Sequence, residues 1–390
     1  MVFFKRKKPV NVTCASTIRY LLFSAKLKLN ALAFIDCRSH EICIPLSTCK
    51  PLMSMVNRML NPRAMTSYQR AQFRNTHCGI DNNAKELVHR VLVCCPRIQS
   101  WDLPDTSVCG QSPPTSYIVG GDEARPNEFP WTSLLLYKTD VPSLRDRRPP
   151  ICAGSLITNR YVLTAAHCLE VNNFTVTEVR LGAHYISTSS DKLENEQKKG
   201  APTHLDIKVS LSIKHEQYYP INGRYHYNDI ALLRLESWVA YTTNIKPICI
   251  SPDFELAYSS FETRSLKIAG WGSYGGPGYS SVLLSGTIIG MNMEKCSSQF
   301  PSLGILDKDI QICAMGQHGT DTGRGDSGGP LMLSVGRDVY QFYYLAGITS
   351  YGGGPPYGSG PAIYTKTSSF FRWITDKIYE TEKSVATILI

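Results

Sequence analysis

The chain has 390 residues, of which 43% are hydrophobic and 19% are charged. This balance is ordinary for a folded protein and excludes wholesale disorder. No apolar run approaches the ~20 residues of a membrane-spanning helix, so no membrane partner is expected. The net charge of +9 comes mostly from residues 1–35, which hold seven basic and no acidic side chains. The remainder is nearly neutral, which argues against nucleic-acid binding.

Residues 1–33 are predicted to be a leader that is removed from the mature protein. They begin with basic residues and include Ala31-Leu32-Ala33, which could serve as a cleavage site. Their apolar stretch, from Tyr20 to Ala25, is short and is followed by Lys26. A secretory signal peptide normally has a longer uncharged stretch, so the form of this leader is atypical. A processed leader is nevertheless favoured over a basic binding face.

Residues 37–95 form a cysteine-rich segment that is too short to bury a sufficient apolar core. Disulfides must therefore stabilise it, which predicts an oxidising compartment and a secreted, extracellular protein. None of the 13 cysteines pairs with histidines at metal-ligand spacing, so neither a metal nor another cofactor is predicted. The cysteines of this segment are Cys37, Cys43, Cys49, Cys78, Cys94 and Cys95.

Residues 96–117 are rich in proline and are predicted to be a linker, which leaves residues 118–390 as a separate domain. From Ile118 onward, short apolar runs alternate with turn residues, a pattern typical of an all-β barrel or sandwich. At the end of the chain, apolar residues recur at helical spacing between Phe370 and Ile378, which predicts a terminal amphipathic helix. The predicted strands include Trp131 to Tyr137, Ser155 to Leu163, Ile230 to Leu235 and Tyr344 to Ile348.

Three motifs carry the residue types needed for nucleophilic acyl transfer. His167 lies in Leu-Thr-Ala-Ala-His-Cys, Asp229 in Asn-Asp-Ile-Ala-Leu-Leu, and Ser327 in Gly-Asp-Ser-Gly-Gly-Pro. Such chemistry requires a nucleophile, a base that takes its proton, and a group that orients the base. A lone histidine or aspartate is usually structural, but the three motifs together favour a catalytic triad.

These motifs resemble those of the chymotrypsin-like serine proteases, and the resemblance extends from Ile118 to about Ile378. It implies an all-β fold of two β-barrels with a C-terminal helix. It also implies that Ser327 is the nucleophile, that His167 is the general base and acid, and that Asp229 orients the imidazole. The backbone N–H groups of Gly325 and Ser327 would form the oxyanion hole.

The resemblance further implies that the protein is made as a zymogen. Ile118-Val119-Gly120-Gly121 is similar to the start of the mature proteases, so cleavage between Tyr117 and Ile118 would release an α-ammonium group that pairs with Asp326. Relatives activated by trypsin-like enzymes carry Arg or Lys before this bond. Tyr117 therefore predicts an upstream activating protease that accepts an aromatic residue.

Asp321, six residues before Ser327, matches the base of the family's primary specificity pocket, which implies cleavage after Arg or Lys. Ser350 and Gly352 match its wall. Ala362 stands where a second pocket glycine is usual and narrows the pocket. The usual pocket disulfide is missing, because Gly323 replaces one of its cysteines.

The cysteine-rich segment resembles an arthropod clip domain, a small disulfide-rich module. Such proteases act in extracellular cascades of immunity or development. The expected partners are another zymogen as substrate, an activating protease and a serpin-type inhibitor. Asn173-Phe174-Thr175 is a candidate glycosylation site. The implied disulfides are Cys37–Cys94, Cys43–Cys78, Cys49–Cys95, Cys109–Cys249, Cys152–Cys168 and Cys296–Cys313, with Cys14 left over in the leader.

Two alternatives to a trypsin-like clip protease remain open. The protein could be a non-catalytic, cofactor-type homologue that recruits partners, although the intact triad disfavours this. It could also be an active protease with non-basic specificity, which is motivated by Ala362 and the missing pocket disulfide.

Overall fold

The chain forms two compact units, Met1–Ser100 and Trp101–Ile390. The predicted leader, the bond between Tyr117 and Ile118, and Asp321 lie outside the described residues. The computed structural model describes residues 37, 41–49, 77–84, 90–96, 103–112, 122–144, 152–186, 204–223, 225–251, 261–273, 278–299, 301, 304–316, 323, 325–336, 341–352 and 360–388.

The first unit is a small antiparallel sheet of three strands in the order β1-β3-β2. Successive residues of a strand point to opposite faces, so the adjacent cysteines of β3 connect to two different parts of the unit. Cys94 bonds to Cys37 and Cys95 bonds to Cys49, while Cys43 on β1 bonds to Cys78 on β2. The strands are β1 Glu41–Pro45, β2 His77–Ile80 and β3 Val91–Pro96.

The second unit consists of two antiparallel barrels. Its strands are β4 Asp122–Glu123, β5 Thr132–Lys138, β6 Ala153–Leu156, β7 Tyr161–Thr164, β8 Thr175–Leu181, β9 Leu205–Lys214, β10 Tyr219–Ile221, β11 Tyr225–Tyr227, β12 Ala231–Leu235, β13 Ser265–Gly270, β14 Leu284–Met291, β15 Gln311–Gly316, β16 Pro330–Val335, β17 Phe342–Gly352 and β18 Ala362–Lys366. Its helices are α1 Met293–Gln299 and α2 Phe371–Ile388.

Each barrel closes on itself. The first has the order β12-β7-β6-β5-β8-β9, and the second has the order β13-β16-β17-β18-β15-β14 and is closed by pairing of β13 with β14. β4 adds to the outside of β14, and β10 and β11 form a separate two-stranded ribbon. The predicted all-β, double-barrel fold with a C-terminal helix is therefore confirmed, and the sandwich alternative is wrong.

Two predicted elements differ in extent. The apolar run from Ser155 to Leu163 forms two strands, β6 and β7, because a turn at residues 158–160 reverses the chain between them. The terminal helix continues well beyond Ile378, to Ile388.

The two barrels share a hydrophobic core. Trp131 of the first barrel is fully buried, and its indole N–H lies 3.1 Å from the sulfur of Met332 in the second. The Trp131 ring also packs against Tyr343 at a centroid distance of 5.7 Å. The two barrels are therefore packed directly against each other.

Helix α2 is fixed to the first barrel by a buried ionic cluster around Glu382. Glu382 accepts hydrogen bonds of 2.7 Å from Arg234 Nε and from the Tyr161 hydroxyl, and Arg160 lies 3.6 Å away. The Glu382 side chain is only 4% exposed. Burial alone would raise its pKa, but the hydrogen bonds from Arg234 and Tyr161 hold the pKa below its ordinary value.

No helix in the described part of the chain is both long and apolar enough to cross a membrane.

Replacement of Glu382 is expected to weaken the fold. The substitution Glu382→Gln leaves the buried Arg234 without a counter-charge, which typically costs about 3–5 kcal/mol in the free energy of unfolding. Urea unfolding of the uncleaved protein measures the change. The matched control is Glu380→Gln, because Glu380 is exposed and contacts Lys377; an exposed pair contributes about 0–1 kcal/mol. Equal losses in the two variants would contradict the prediction.

Candidate active site

His167 and Asp229 form a tightly coupled pair at the cleft. The Nδ1 atom of His167 lies 2.7 Å from Oδ2 of Asp229, and the backbone N–H of His167 donates to Oδ1 at 2.9 Å. Asp229 is completely buried. Both carboxylate oxygens therefore contact His167, which fixes the orientation of its imidazole.

Short turns at strand ends position both residues. His167 lies in a 3₁₀ turn, Ala166–Leu169, directly after β7, and the disulfide between Cys152 and Cys168 ties this turn to the start of β6. Asp229 lies two residues before β12, after Asn228, which has a φ of 51°. Because β7 and β12 pair with each other, the two side chains come together at one barrel edge.

The second barrel also contacts Asp229. The hydroxyl of Ser350 on β17 donates to Oδ2, and the hydroxyl of Thr365 on β18 donates to the Asp229 carbonyl oxygen at 2.8 Å. Ser350, which is predicted to line the substrate pocket, therefore has its hydroxyl directed at the carboxylate of Asp229.

The two members of the pair have pKa values displaced in opposite directions. Burial would raise the pKa of Asp229, but His167 outweighs it and lowers the pKa to about 2. Burial would lower the pKa of His167, but the charge and the hydrogen bond of Asp229 raise it above its ordinary value. The site consequently favours an ionised aspartate beside an imidazole that can accept and hold a proton.

Ser327 lies in the turn that precedes β16. Its carbonyl oxygen accepts a hydrogen bond of 2.8 Å from the backbone N–H of Ala153 in the first barrel. Ala153 follows Cys152, whose disulfide partner Cys168 is next to His167. Within the described residues, the Ser327 hydroxyl makes no hydrogen bond to His167. Contacts of this kind often tighten only when substrate binds. The absence of this hydrogen bond in the uncleaved chain is therefore compatible with a hydroxyl that the imidazole activates when substrate is bound.

The N–H groups of Gly325 and Ser327 make no hydrogen bond to any other residue that the structure describes. Gly325 has a φ of 101°, which residues with a side chain rarely adopt. A Cβ atom at this position would also lie 3.0 Å from the ring of Tyr279. The glycine therefore permits a turn whose two N–H groups are available to bind an oxyanion.

Asp326 lies between Gly325 and Ser327 in the sequence, and backbone groups surround its carboxylate. The N–H groups of Gly272 and Gly323 each donate to one of its carboxylate oxygens at 2.8 Å. A side chain at Gly270 or Gly272 would collide with the carboxylate. Burial raises the pKa of Asp326 to about 6, although the two N–H groups oppose this.

The predicted pocket residues are only partly described. Ala362 is buried, pairs with Gly352 across β17 and β18, and packs in a hydrophobic cluster of the second barrel. A Cβ atom at Gly323 would collide with the carbonyl oxygen of Ser273, which explains why a cysteine does not stand there in this conformation.

The described structure contains six disulfides, and they join the pairs that the family resemblance implied. Those of the second unit are Cys109–Cys249, Cys152–Cys168 and Cys296–Cys313. Two groups of potential metal ligands occur, but each contains cysteines that are already bonded to one another or to a third cysteine. Asn173 lies exposed in a turn with a φ of 64°.

Sequence reasoning missed Tyr218 and His226. The ring of His226 stacks on the ring of His167 at a centroid distance of 4.9 Å, and the Tyr218 hydroxyl lies 3.0 Å from Nδ1 of His226. The only signal in the sequence for a role of His226 was its position, three residues before Asp229.

Comparison with known proteins yields two family matches. Residues 118–374 match the trypsin model, and residues 39–95 match the regulatory CLIP domain of proteinases. The Spaetzle-processing enzyme of Drosophila melanogaster is 37% identical over 366 residues, covering 86% of this chain and 88% of the relative. Melanization protease 1 of Drosophila melanogaster is 35% identical over 370 residues, covering 86% and 90%.

Among solved structures, neuropsin, a serine protease expressed in the limbic system of mouse brain, is similar with a TM-score of 0.51 and 28% identity. The match covers 67% of this chain and the whole of the neuropsin chain.

The raised pKa of Asp326 predicts a pH-dependent stability of the uncleaved protein. Between its unfolded value near 3.8 and about 6, the folded state binds a proton that the unfolded state has lost. The contribution of Asp326 to stability therefore falls as pH rises through this window. The melting temperature of the wild type should drop relative to that of Asp326→Asn between pH 4 and pH 7. Parallel melting curves for the two proteins would show that Asp326 does not titrate in this range.

Proposed function

The chain belongs to the trypsin family of serine proteases and carries a clip domain, and from this premise we propose that it is the zymogen of an active serine endopeptidase. The observation that carries the proposal is the buried pairing of Asp229 with His167 beside the turn of Ser327. The presence of all three residues, Ser327, His167 and Asp229, disfavours a non-catalytic homologue.

In the proposed reaction, Ser327 Oγ attacks the scissile carbonyl while His167 Nε2 accepts its proton. Asp229 remains ionised, because its pKa is far below neutral, and it stabilises the imidazolium that forms. The N–H groups of Gly325 and Ser327 bind the oxyanion, where removal of one donor typically costs about 100- to 1000-fold in rate. His167 then gives its proton to the leaving amine, and water repeats the sequence to release the acyl group.

Activation is proposed to occur by cleavage between Tyr117 and Ile118. The new α-ammonium group of Ile118 would pair with Asp326, whose raised pKa reports that its charge is poorly compensated in the uncleaved chain. A compensating cation would lower that pKa and order the turn around Ser327. The disulfide between Cys109 and Cys249 would keep the preceding segment attached after the cut.

Cleavage after Arg or Lys is proposed from Asp321, which follows the family pattern at the base of the pocket. A carboxylate at that position would pair with a basic side chain of the substrate. Ala362 and the missing pocket disulfide motivate the non-basic alternative, and the carboxylate is the reason for preferring the basic specificity.

The proposed setting is an extracellular cascade of immunity or development, in which the substrate is another zymogen or a precursor protein. The names of the relatives, a Spaetzle-processing enzyme and a melanization protease, support this. We also propose that the protein is secreted, that it is glycosylated at Asn173, and that a serpin-type inhibitor binds it. The proposed domains are a leader at 1–33, a clip domain at 37–95, a linker at 96–117 and a protease domain at 118–390.

Activation and catalysis can be tested in one experiment. The variant Tyr117→Arg allows limited trypsin treatment to generate the Ile118 terminus, which sequencing confirms. The cleaved protein should then react with a serine-directed phosphonate, and mass spectrometry should locate the label on Ser327. Ser327→Ala, carried in the same background, should show no labelling. A correctly cleaved, folded protein that resists the phosphonate would favour the non-catalytic alternative.

Specificity is tested by kcat/KM for peptides that differ only in having Arg, Lys or Tyr before the scissile bond. The Arg and Lys peptides should be preferred. The variant Asp321→Ser should reduce kcat/KM for them by at least about 30-fold, since loss of a buried charge partner costs about 2–5 kcal/mol. A wild-type preference for Tyr would contradict the role of Asp321 and support the non-basic alternative.

A further inference from the structure

The ring of His226 stacks against the imidazole of His167. His226 belongs to the ribbon of β10 and β11 that precedes Asp229. The two rings are nearly parallel, with a centroid distance of 4.9 Å and an interplanar angle of 20°. A parallel stack of two imidazoles covers one face of His167. Tilting of that ring out of its plane on this side is therefore opposed by direct contact.

The position of His226 is itself determined by contacts from several elements. The Tyr218 hydroxyl shares a hydrogen bond of 3.0 Å with Nδ1 of His226, and the ring of Tyr351 packs edge-on at 5.9 Å. The side chain of Gln311, on β15, donates to the His226 carbonyl oxygen at 3.1 Å and lies 3.3 Å from the Tyr351 hydroxyl. These contacts hold the ring of His226 in place against His167.

His226 can serve this purpose only as a neutral ring. During catalysis His167 becomes an imidazolium, which a neutral aromatic face stabilises and a second cation repels. Burial lowers the pKa of His226, and the charge of His167 lowers it further, although Asp229 and Glu170 oppose this. The ring is therefore neutral at neutral pH. The titratable groups around it are His167, Glu170, Lys214, Tyr218, Asp229 and Tyr351.

We infer that His226, held by Tyr218, is a positioning residue that keeps the plane of the His167 imidazole aligned between Asp229 and Ser327. This inference rests on the proposed protease activity and deepens it. Correct geometry can be worth a large factor in rate, because a misplacement of about 1 Å can cost about 100-fold. A partial loss of ring alignment should accordingly reduce kcat more than it affects substrate binding.

Kinetics of two variants of the activated enzyme test the inference. His226→Ala removes the stacked ring and should lower kcat by about 10-fold, a fraction of the ~100-fold cost of a 1 Å misplacement, with KM changed less than twofold. His226→Phe restores an uncharged flat ring and should recover kcat to within about threefold of wild type. The peptide substrate carries Gly immediately before its Arg, because a residue without a side chain makes little contact with position 226. Loss of such a contact in the variants then contributes little to the change in rate. A change confined to KM, or a failure of Phe to rescue, would overturn the inference.

Two further variants test whether the loss of kcat is specific to the contact between His226 and His167. Tyr218→Phe keeps both rings but removes the hydrogen bond to His226, and kcat should fall by a smaller factor than in His226→Ala. The matched control is His215→Ala, which removes a histidine that packs on Trp373 and not on His167. Its kcat should remain within twofold of wild type. An equal loss in the control would show that the effect is unspecific.

A spectroscopic measurement separates this inference from the proposed function. The proton between His167 Nδ1 and Asp229 should give a low-field NMR signal in the uncleaved protein, whether or not the enzyme is active. We expect this signal to stay sharp in His226→Phe and to broaden in His226→Ala. An unchanged signal in His226→Ala would overturn the inference, whereas failure of phosphonate labelling in the wild type would refute the proposed activity alone.

Discussion

The fully buried carboxylate of Asp229 is the constraint on which the arrangement of the site depends. Burial of a charge is costly unless hydrogen bonds and an opposite charge compensate it. Here the compensation comes from His167 in the first barrel and from Ser350 in the second. The same interactions that make the carboxylate tolerable also connect the two barrels. Stability and catalytic geometry are therefore coupled at this residue.

Asp326 is subject to the same cost of burying a charge, but its charge is less well compensated than that of Asp229. Two backbone N–H groups hold its oxygens, but its pKa is still raised to about 6, so its environment stabilises the ion less than water does. Asp229 is buried with its partners in place, whereas the half-buried Asp326 has no cationic partner among the described residues. This contrast between the two aspartates supports the proposal that Asp326 gains a partner on activation.

Local patterns predicted much of this molecule. The three candidate triad residues could be singled out because each lies in a short motif. The short apolar runs predicted an all-β barrel or sandwich, and the family resemblance implied the two barrels. The turn between β6 and β7 could not be predicted from the sequence because the residues on both sides of it are apolar. The contacts of Glu382 with Arg234 and of Ser350 with Asp229 span 148 and 121 residues. No local pattern reports such pairings, and for the same reason the support of His226 by Gln311 could not be predicted.

The cluster around Glu382 also constrains the order in which the molecule can be completed. Arg234 and Tyr161 belong to the first barrel, which leaves the ribosome early, but their partner follows the whole second barrel in the chain. Until α2 has been synthesised, the guanidinium of Arg234 cannot reach its final buried position without a counter-charge. The final packing of the first barrel around Arg234 is therefore reached only when α2 docks, after the whole of the second barrel has been synthesised.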